Sequence, residues 1–368
     1  MNKLRKFIWD TSGAFSDIGV LLPISIALIE RNGLNPSSVF LFAGIFYILS
    51  SYYFKITMPV QPLKAMSSIA IAKKLNSQIL NSAGLLMGLF LILIFLTNIS
   101  KKIGKYFSKG IIRGIQFGLG IILIKTGISL VNIYSKTTIY SFFILIFTYL
   151  FLKFLPPILP LILFGLISSL NGIENLNFNF PAIEVHFPNF EDLKKGFFIL
   201  FLPQIALTLS NAWVATEDTA KYYYKERAKK INLKSISLSM GIANIFSSLF
   251  GGAPMCHGSG GITAHYKGGA RDENSAFIIG FFLIFLGIFF GKHSLILISR
   301  FPIEILGILI IYIGFYHSIL IKDILKRKKD LIISLIIGII AGLTNNLTFA
   351  LFFGLILYYI LNSLFKFF

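Results

Sequence analysis

Long apolar runs dominate this chain, and few of them alternate or carry a polar face. Stretches such as "GLLMGLFLILIFL" (84–96) and "SLIIGIIAGL" (334–343) are apolar on every side. That pattern suits a helix in lipid better than a helix on a soluble surface. Segmenting by hydropathy predicts about fourteen such segments, at 14–31, 36–54, 61–75, 79–99, 107–131, 138–154, 156–171, 196–216, 232–250, 257–267, 274–291, 302–320, 330–345 and 346–365. The third and tenth are too short to cross about 30 Å of hydrocarbon. Each comes after a Pro- or Gly-rich stretch, "TMPVQP" and "FGGAPMCHGSGG", so each is expected to be a half-helix entered from irregular backbone.

Composition sharpens this into a class. The 368 residues are 55% hydrophobic and 13% charged, with a mean hydropathy of +0.79. A soluble domain is about a quarter charged, so a soluble enzyme and a disordered chain are both excluded. The fold class is therefore all-α and polytopic, with the lipid bilayer as partner. The single cysteine, Cys256, rules out an intrachain disulfide. "MNKLRK" resembles the start of a signal peptide, but Asp10 and Asp17 interrupt the apolar stretch behind it, and it reads as a retained cytosolic end.

A net charge of +19 would suggest nucleic acid in a soluble protein. Here the charges collect in short loops: Lys101, Lys102, Lys105 and Lys109; Lys221 to Lys234; Lys326 to Lys329. The long loop 172–195 instead carries Glu174, Glu184, Glu191 and Asp192. Basic loops inside and an acidic loop outside place both termini in the cytoplasm of a cell-membrane protein, with no nucleic-acid partner.

A weak internal repeat divides the chain. "LLPISIAL" (21–28) resembles "FLPQIAL" (201–207), and "MPVQP" (58–62) sits like "APMCH" (253–257). Segments one and eight then correspond, as do three and ten. The halves are 1–171 and 196–368, joined by an extracellular linker at 172–195. Seven segments per half is an odd number, so the halves are inverted, and paired broken helices in inverted repeats point to a transporter's substrate site.

In "MPVQPLKAMSS", two prolines remove backbone donors, and the helix after them presents free N–H groups and a positive dipole end. Lys64 in its first turn adds a full charge, or else snorkels or pairs with Asp17; Gln61 donates to an oxyanion or satisfies the broken backbone. In "GGAPMCHGSGG", Gly258 and Gly260 permit close backbone approach, and their amides with Ser259 and His257 form a second candidate nest. A packing kink is the plainer alternative. Cys256, His257 and His265 are too few and too adjacent for a metal site. Gln204, Thr208 and Asn211 recur at helical spacing and should share one face. Asp17, ahead of a break at Pro23, is a candidate to carry a coupling proton or to hold Lys64. Glu217 and Asp218 are expected to be solvated at a cytosolic end, and Lys125 and Glu304 to be structural.

"FSDIGVLLPISIAL", "MPVQPLKAM", "LPQIALTLSNA" and "PMCHGSGG…ARDENS" together resemble the molybdate transporter family, a branch related to the sulphate permeases and similar in architecture to the bacterial uracil transporter. The resemblance covers nearly the whole chain. It implies fourteen helices in seven-plus-seven inverted repeats, a core and a gate domain, and substrate between the ends of helices three and ten. It also implies elevator-like movement of the core and no cytosolic regulatory domain. The uracil transporter carries an acidic residue where this chain has Asn211, and a neutral amide suits an anion better. The function so implied is secondary active import of molybdate, with tungstate as a mimic. The substrate-binding set is Gln61, Lys64, Gln204, Asn211, His257, Gly258, Ser259 and Gly260, and Asp17 is the coupling candidate. A proton is the candidate coupling ion, a homodimer is left open, and no cofactor is implied. The alternatives are a transporter of sulphate, bicarbonate or a nucleobase, or an anion channel; an enzyme fits least, since no nucleophile–base pair is visible.

Overall fold

The computed structural model describes residues 2–152, 155–156, 158–170, 183–291 and 294–364. It is helical apart from two short strands. The helices are α1 (Lys3–Phe15), α2 (Ile18–Asn32), α3 (Pro36–Phe54), α4 (Lys64–Lys73), α5 (Ser77–Thr97), α6 (Ser100–Gly104), α7 (Lys109–Leu130), α8 (Lys136–Phe151) and α9 (Leu159–Leu170). The second half holds α10 (Phe190–Lys230), α11 (Leu233–Leu249), α12 (Ser259–Gly268), α13 (Asn274–Phe290), α14 (Ser294–Ser299), α15 (Ile303–Ile324), α16 (Lys328–Thr344) and α17 (Leu347–Leu364). Each predicted apolar segment contains a helix. Among the described residues, six helical stretches are individually long and apolar enough to cross a membrane. The rest are shorter, the two half-helices among them. The predicted linker lies outside the described residues as far as 182, and its last part, from Phe190, already belongs to α10.

Local chemistry sets the boundaries. Asn35 accepts a bond from Ser38 N (3.2 Å) with Pro36 at the first helical position, Asn76 caps Ile79 N (3.0 Å), and Asn232 and Ser235 form a capping box. One expectation fails here: the break lies at Ser16–Asp17, not at Pro23, which sits inside α2. The proline removes one intrahelical donor, the one that would have bonded Gly19 O, and the helix continues through it. α10 contains π-helical stretches at Phe197–Phe201 and Thr208–Ala215. These widen the turn around the polar residues expected to share one face.

The strands β1 (Gln61–Pro62) and β2 (Met255–Cys256) pair antiparallel, Gln61 opposite Cys256 and Pro62 opposite Met255. Asn244 of α11 acts as a third edge: its Nδ2 donates to Met255 O (2.7 Å) and its Oδ1 accepts from Met255 N (2.9 Å). β1 leads into α4 and β2 into α12, so two helix starts meet at one crossing. Around it α3 packs on α13 and α5 on α11, pairs that exchange when the halves are exchanged. A second group forms where α7 lies along α15 and α16, and α16 along α17.

Candidate functional site

The crossing brings together most of the expected residues in two hydrogen-bonded chains. In the first, Lys64 Nζ donates to Gln61 Oε1 (2.7 Å), and Gln61 Nε2 donates to both oxygens of Asp17 (2.6 Å each). Asp17 and Gln61 are buried and Lys64 is half-buried. Lys64 and Asp17 are therefore linked through an amide rather than paired directly. Gly258 abuts the same chain: a Cβ there would stand 2.5 Å from Gln61 Oε1 and 3.1 Å from Lys64 Nζ. Carbon of any kind at this position would displace the amide.

The second chain runs through α12. Ser259 Oγ donates to Asn211 Oδ1 (2.6 Å), so the Asn211 amide still has its Nδ2 hydrogens to offer. Ser259 Oγ also meets His317 Nε2 (3.2 Å), and Thr263 Oγ1 meets His317 Nδ1 (2.8 Å). Since the serine proton is committed to Asn211, His317 donates from Nε2 and accepts at Nδ1. The sequence does not single out His317. A lone histidine at the end of an apolar run carries no spacing signal.

Two expected residues, His257 and Gln204, are used up in bracing the crossing. His257 Nδ1 faces the Pro59 carbonyl (2.7 Å) and must donate to it, so Nε2 accepts from Ser239 Oγ (2.8 Å). That leaves the neutral ring no N–H for an anion, contrary to its expected place among the ligands. Gln204 and Asn211 do not act on one neighbour either. Gln204 Oε1 accepts from Met66 N (2.8 Å) and its Nε2 donates to Thr208 Oγ1 (3.1 Å), so Gln204 satisfies an orphan donor of α4 while Asn211 serves α12. The π-helical stretch from Thr208 explains this divergence. The amides that the first turn leaves without intrahelical partners are then those of Lys64 and Ala65 in α4, and of Ser259 and Gly260 in α12.

A cavity of about 590 Å³ opens beside the crossing, with Lys64, Ala65 and Ser68 on one wall and Leu119, Leu123 and Ile310 opposite. Among the described residues, Lys64 is the one charged group on its walls. A positive side chain at a positive helix start, on walls that are mostly apolar with neutral polar groups at Ser68, Thr126, Asn345, Asn346 and Thr348, favours an anion of small size. Asp218 departs from expectation: it is not solvated at a helix end but pairs with Arg113 and Lys109. Glu217 pairs with Lys221 one turn on. Lys125 Nζ donates to Gly342 O (2.6 Å), tying α7 to α16, and Glu304 lies in the first turn of α15, where the helix dipole favours it.

The fold is shared with solved anion transporters. The transmembrane domain of a cyanobacterium bicarbonate transporter, BicA, superposes with a TM-score of 0.58 at 17% identity, covering 97% of this chain and 98% of that one. Murine Slc26a9, an anion transporter in the inward-facing state, superposes with a TM-score of 0.64 at 12% identity, covering 98% and 68%. Among curated proteins, Molybdate transporter 2 of Arabidopsis thaliana is 25% identical over 380 residues, 89% of this chain and 81% of its own. Molybdate transporter 1 of the same plant is 21% identical over 90% and 83%. A family model described as "Molybdate transporter of MFS superfamily" matches residues 10–123 and 196–316, stretches that contain both strands, both half-helices, Asp17, Lys64 and Asn211. With more than half its length matched, in the segments that build the crossing, the chain belongs to the molybdate transporter family.

Proposed function

We propose that this protein is a secondary active transporter that imports molybdate across the cell membrane by alternating access, with the crossing as its substrate site. The observation that carries the reading is Lys64, a cation on the cavity wall at the start of a half-helix and beside Gly258, which caps the second helix start. A tetrahedral dianion there meets one full charge and two dipole ends, with backbone amides as donors. Lys64, Gly258, Ser259, Gly260 and the donor side of Asn211 form the anion's surroundings. Gln61, Gln204 and His257 position them. The proposed halves are 1–171 and 196–368, with both termini cytoplasmic, in line with the distribution of basic loops.

Asp17 is the proposed coupling group. Lys64 balances it through Gln61, so an anion that draws on the lysine leaves the buried carboxylate uncompensated, and a proton is the smallest compensation. Proteoliposomes test both parts. Accumulation of molybdate above the bulk concentration, driven by an inward proton gradient and lost in Asp17→Asn, is the expected result. Equilibration without accumulation would indicate a channel. Tungstate should compete about as well as molybdate, sulphate worse and phosphate poorly; sulphate as the best competitor would reassign the substrate.

A further inference from the structure

Three helices run from the cavity toward the face that bears the basic loops, and each changes from apolar to polar in that direction. On α7, Leu119 and Leu123 line the cavity, with Gln116, Arg113 and Lys109 closer to the helix start. On α10, Pro203 and Leu207 line the cavity, with Asp218 and Thr219 beyond them. On α15, Ile310 gives way to Asp323. The polar ends converge on Arg113, which is 0% exposed. Its Nε donates to Asp323 Oδ1 (2.7 Å) and its NH2 pairs with the same carboxylate, while its NH1 reaches Asp218 and Gln116 Oε1 (2.6 Å). Lys109 joins Asp218 and stands 3.7 Å from Asp323.

The two carboxylates belong to different bodies. Asp323 sits on α15, which packs along α7, so its bond to Arg113 is internal to that group. Asp218 lies where α10 packs on the half-helix α12, and its neighbour Thr216 donates to the His257 carbonyl (2.5 Å). Arg113–Asp218 and Gln116–Thr219 (2.8 Å) therefore bridge the substrate crossing and the α7–α15–α16 group. A guanidinium so buried demands its partners.

We propose that Arg113 and Asp218 form the gate that closes the transport pathway on the basic face while the cavity is open opposite, and that their separation admits the other state. This rests on the alternating-access reading above. Separation exposes both groups to water, so the pair acts as a switch between two arrangements rather than as a stability device. Asp218→Asn is the informative variant, because Arg113 keeps Asp323 and the fold keeps its buried pair. Asp323→Asn is its control: it cuts a link inside one body and leaves the bridge.

The readout is labelling by a membrane-impermeant maleimide applied from the cavity side, at Ile24→Cys on the cavity wall in a Cys256→Ser background, with each variant checked for monodispersity. Asp218→Asn should lower the labelling rate by about fivefold or more as the population shifts. Asp218→Glu should restore it, and Asp323→Asn should leave it near the parent rate. Equal labelling in Asp218→Asn and the parent, or equal loss in both Asn variants, would overturn the gate. If the labelling shift appears while the parent neither binds nor transports molybdate, the gate stands and the substrate reading falls.

Discussion

The two broken segments occupy matching places in the two halves, yet on the proposed reading they would hold an anion by different means. The first uses charge: Lys64 opens α4, Gln61 holds its ammonium, and prolines 59 and 62 keep the approach extended. The second uses proximity: α12 opens on Gly258, Ser259, Gly260 and Gly261, with no charged side chain in its first turn. A helix start attracts anions in either case, but a fixed cation adds long reach in an apolar cavity, whereas a glycine adds only access. The contrast implies that the first segment supplies most of the affinity and the second the shape.

Lys64→Ala is the sharpest way to break that contrast. Losing a charge-assisted contact is worth about 1.5–3 kcal/mol, so molybdate affinity should fall by roughly ten- to a hundredfold. Folding should suffer less, since Lys64 is only half-buried. Lys64→Arg should rescue in part, because the planar fork does not reproduce a point charge. Calorimetric titration checks both, and an unchanged affinity in the alanine variant would remove Lys64 from the site.

Gly258→Ala comes next. Its methyl would meet Gln61 Oε1 at 2.5 Å and Lys64 Nζ at 3.1 Å, so the lysine must leave its amide. Affinity should drop by about tenfold, roughly 1.4 kcal/mol, in protein that remains monodisperse. Gly261→Ala should act on stability instead. Its methyl would press on Pro59 Cβ (2.5 Å) and Asp17 Oδ2 (2.9 Å), and overpacking of this kind costs about 1–3 kcal/mol. A thermal melt separates the two.

The helical layout was legible because lipid imposes a length on apolar runs, and the half-helices because proline and glycine interrupt them. An association of Lys64 with Asp17 could be inferred from motif position and charge, but not the Gln61 amide that stands between them. What escaped was long-range and directional. Nothing in "IYIGFYHSIL" announces that His317 reaches Ser259, and nothing in "IIRGIQFG" announces that Arg113 meets carboxylates more than a hundred residues away. For His257, a sequence shows a side chain's capacity to donate but not whether a carbonyl, here that of Pro59, has already claimed it. Gln204 and Asn211 parted because the π-helical widening between them alters the spacing from which a shared face was inferred.

Gly260→Ala carries the smallest expected effect and the finest test of the contrast. From the sequence, Gly258 and Gly260 look interchangeable, and a shared backbone nest would penalise a methyl at either. The surroundings differ: a Cβ at Gly260 would find Leu119 Cδ2 at 3.6 Å and Leu123 Cδ1 at 3.7 Å, ordinary contact distances on the wall facing the cavity. The residue is helical, so alanine there should favour α12 by up to about 1 kcal/mol. Stability should hold or rise slightly, whatever the ligand does. The affinity then reports the anion's position, because the methyl occupies space between α12 and α7 rather than space beside Lys64. A loss under about threefold, well below 1 kcal/mol, places the anion against the first segment, as the charge argument requires. A loss as large as that of Gly258→Ala, in protein that melts no lower than the parent, would mean the anion sits symmetrically between the two helix starts, and the division of labour between charge and proximity would have to be abandoned.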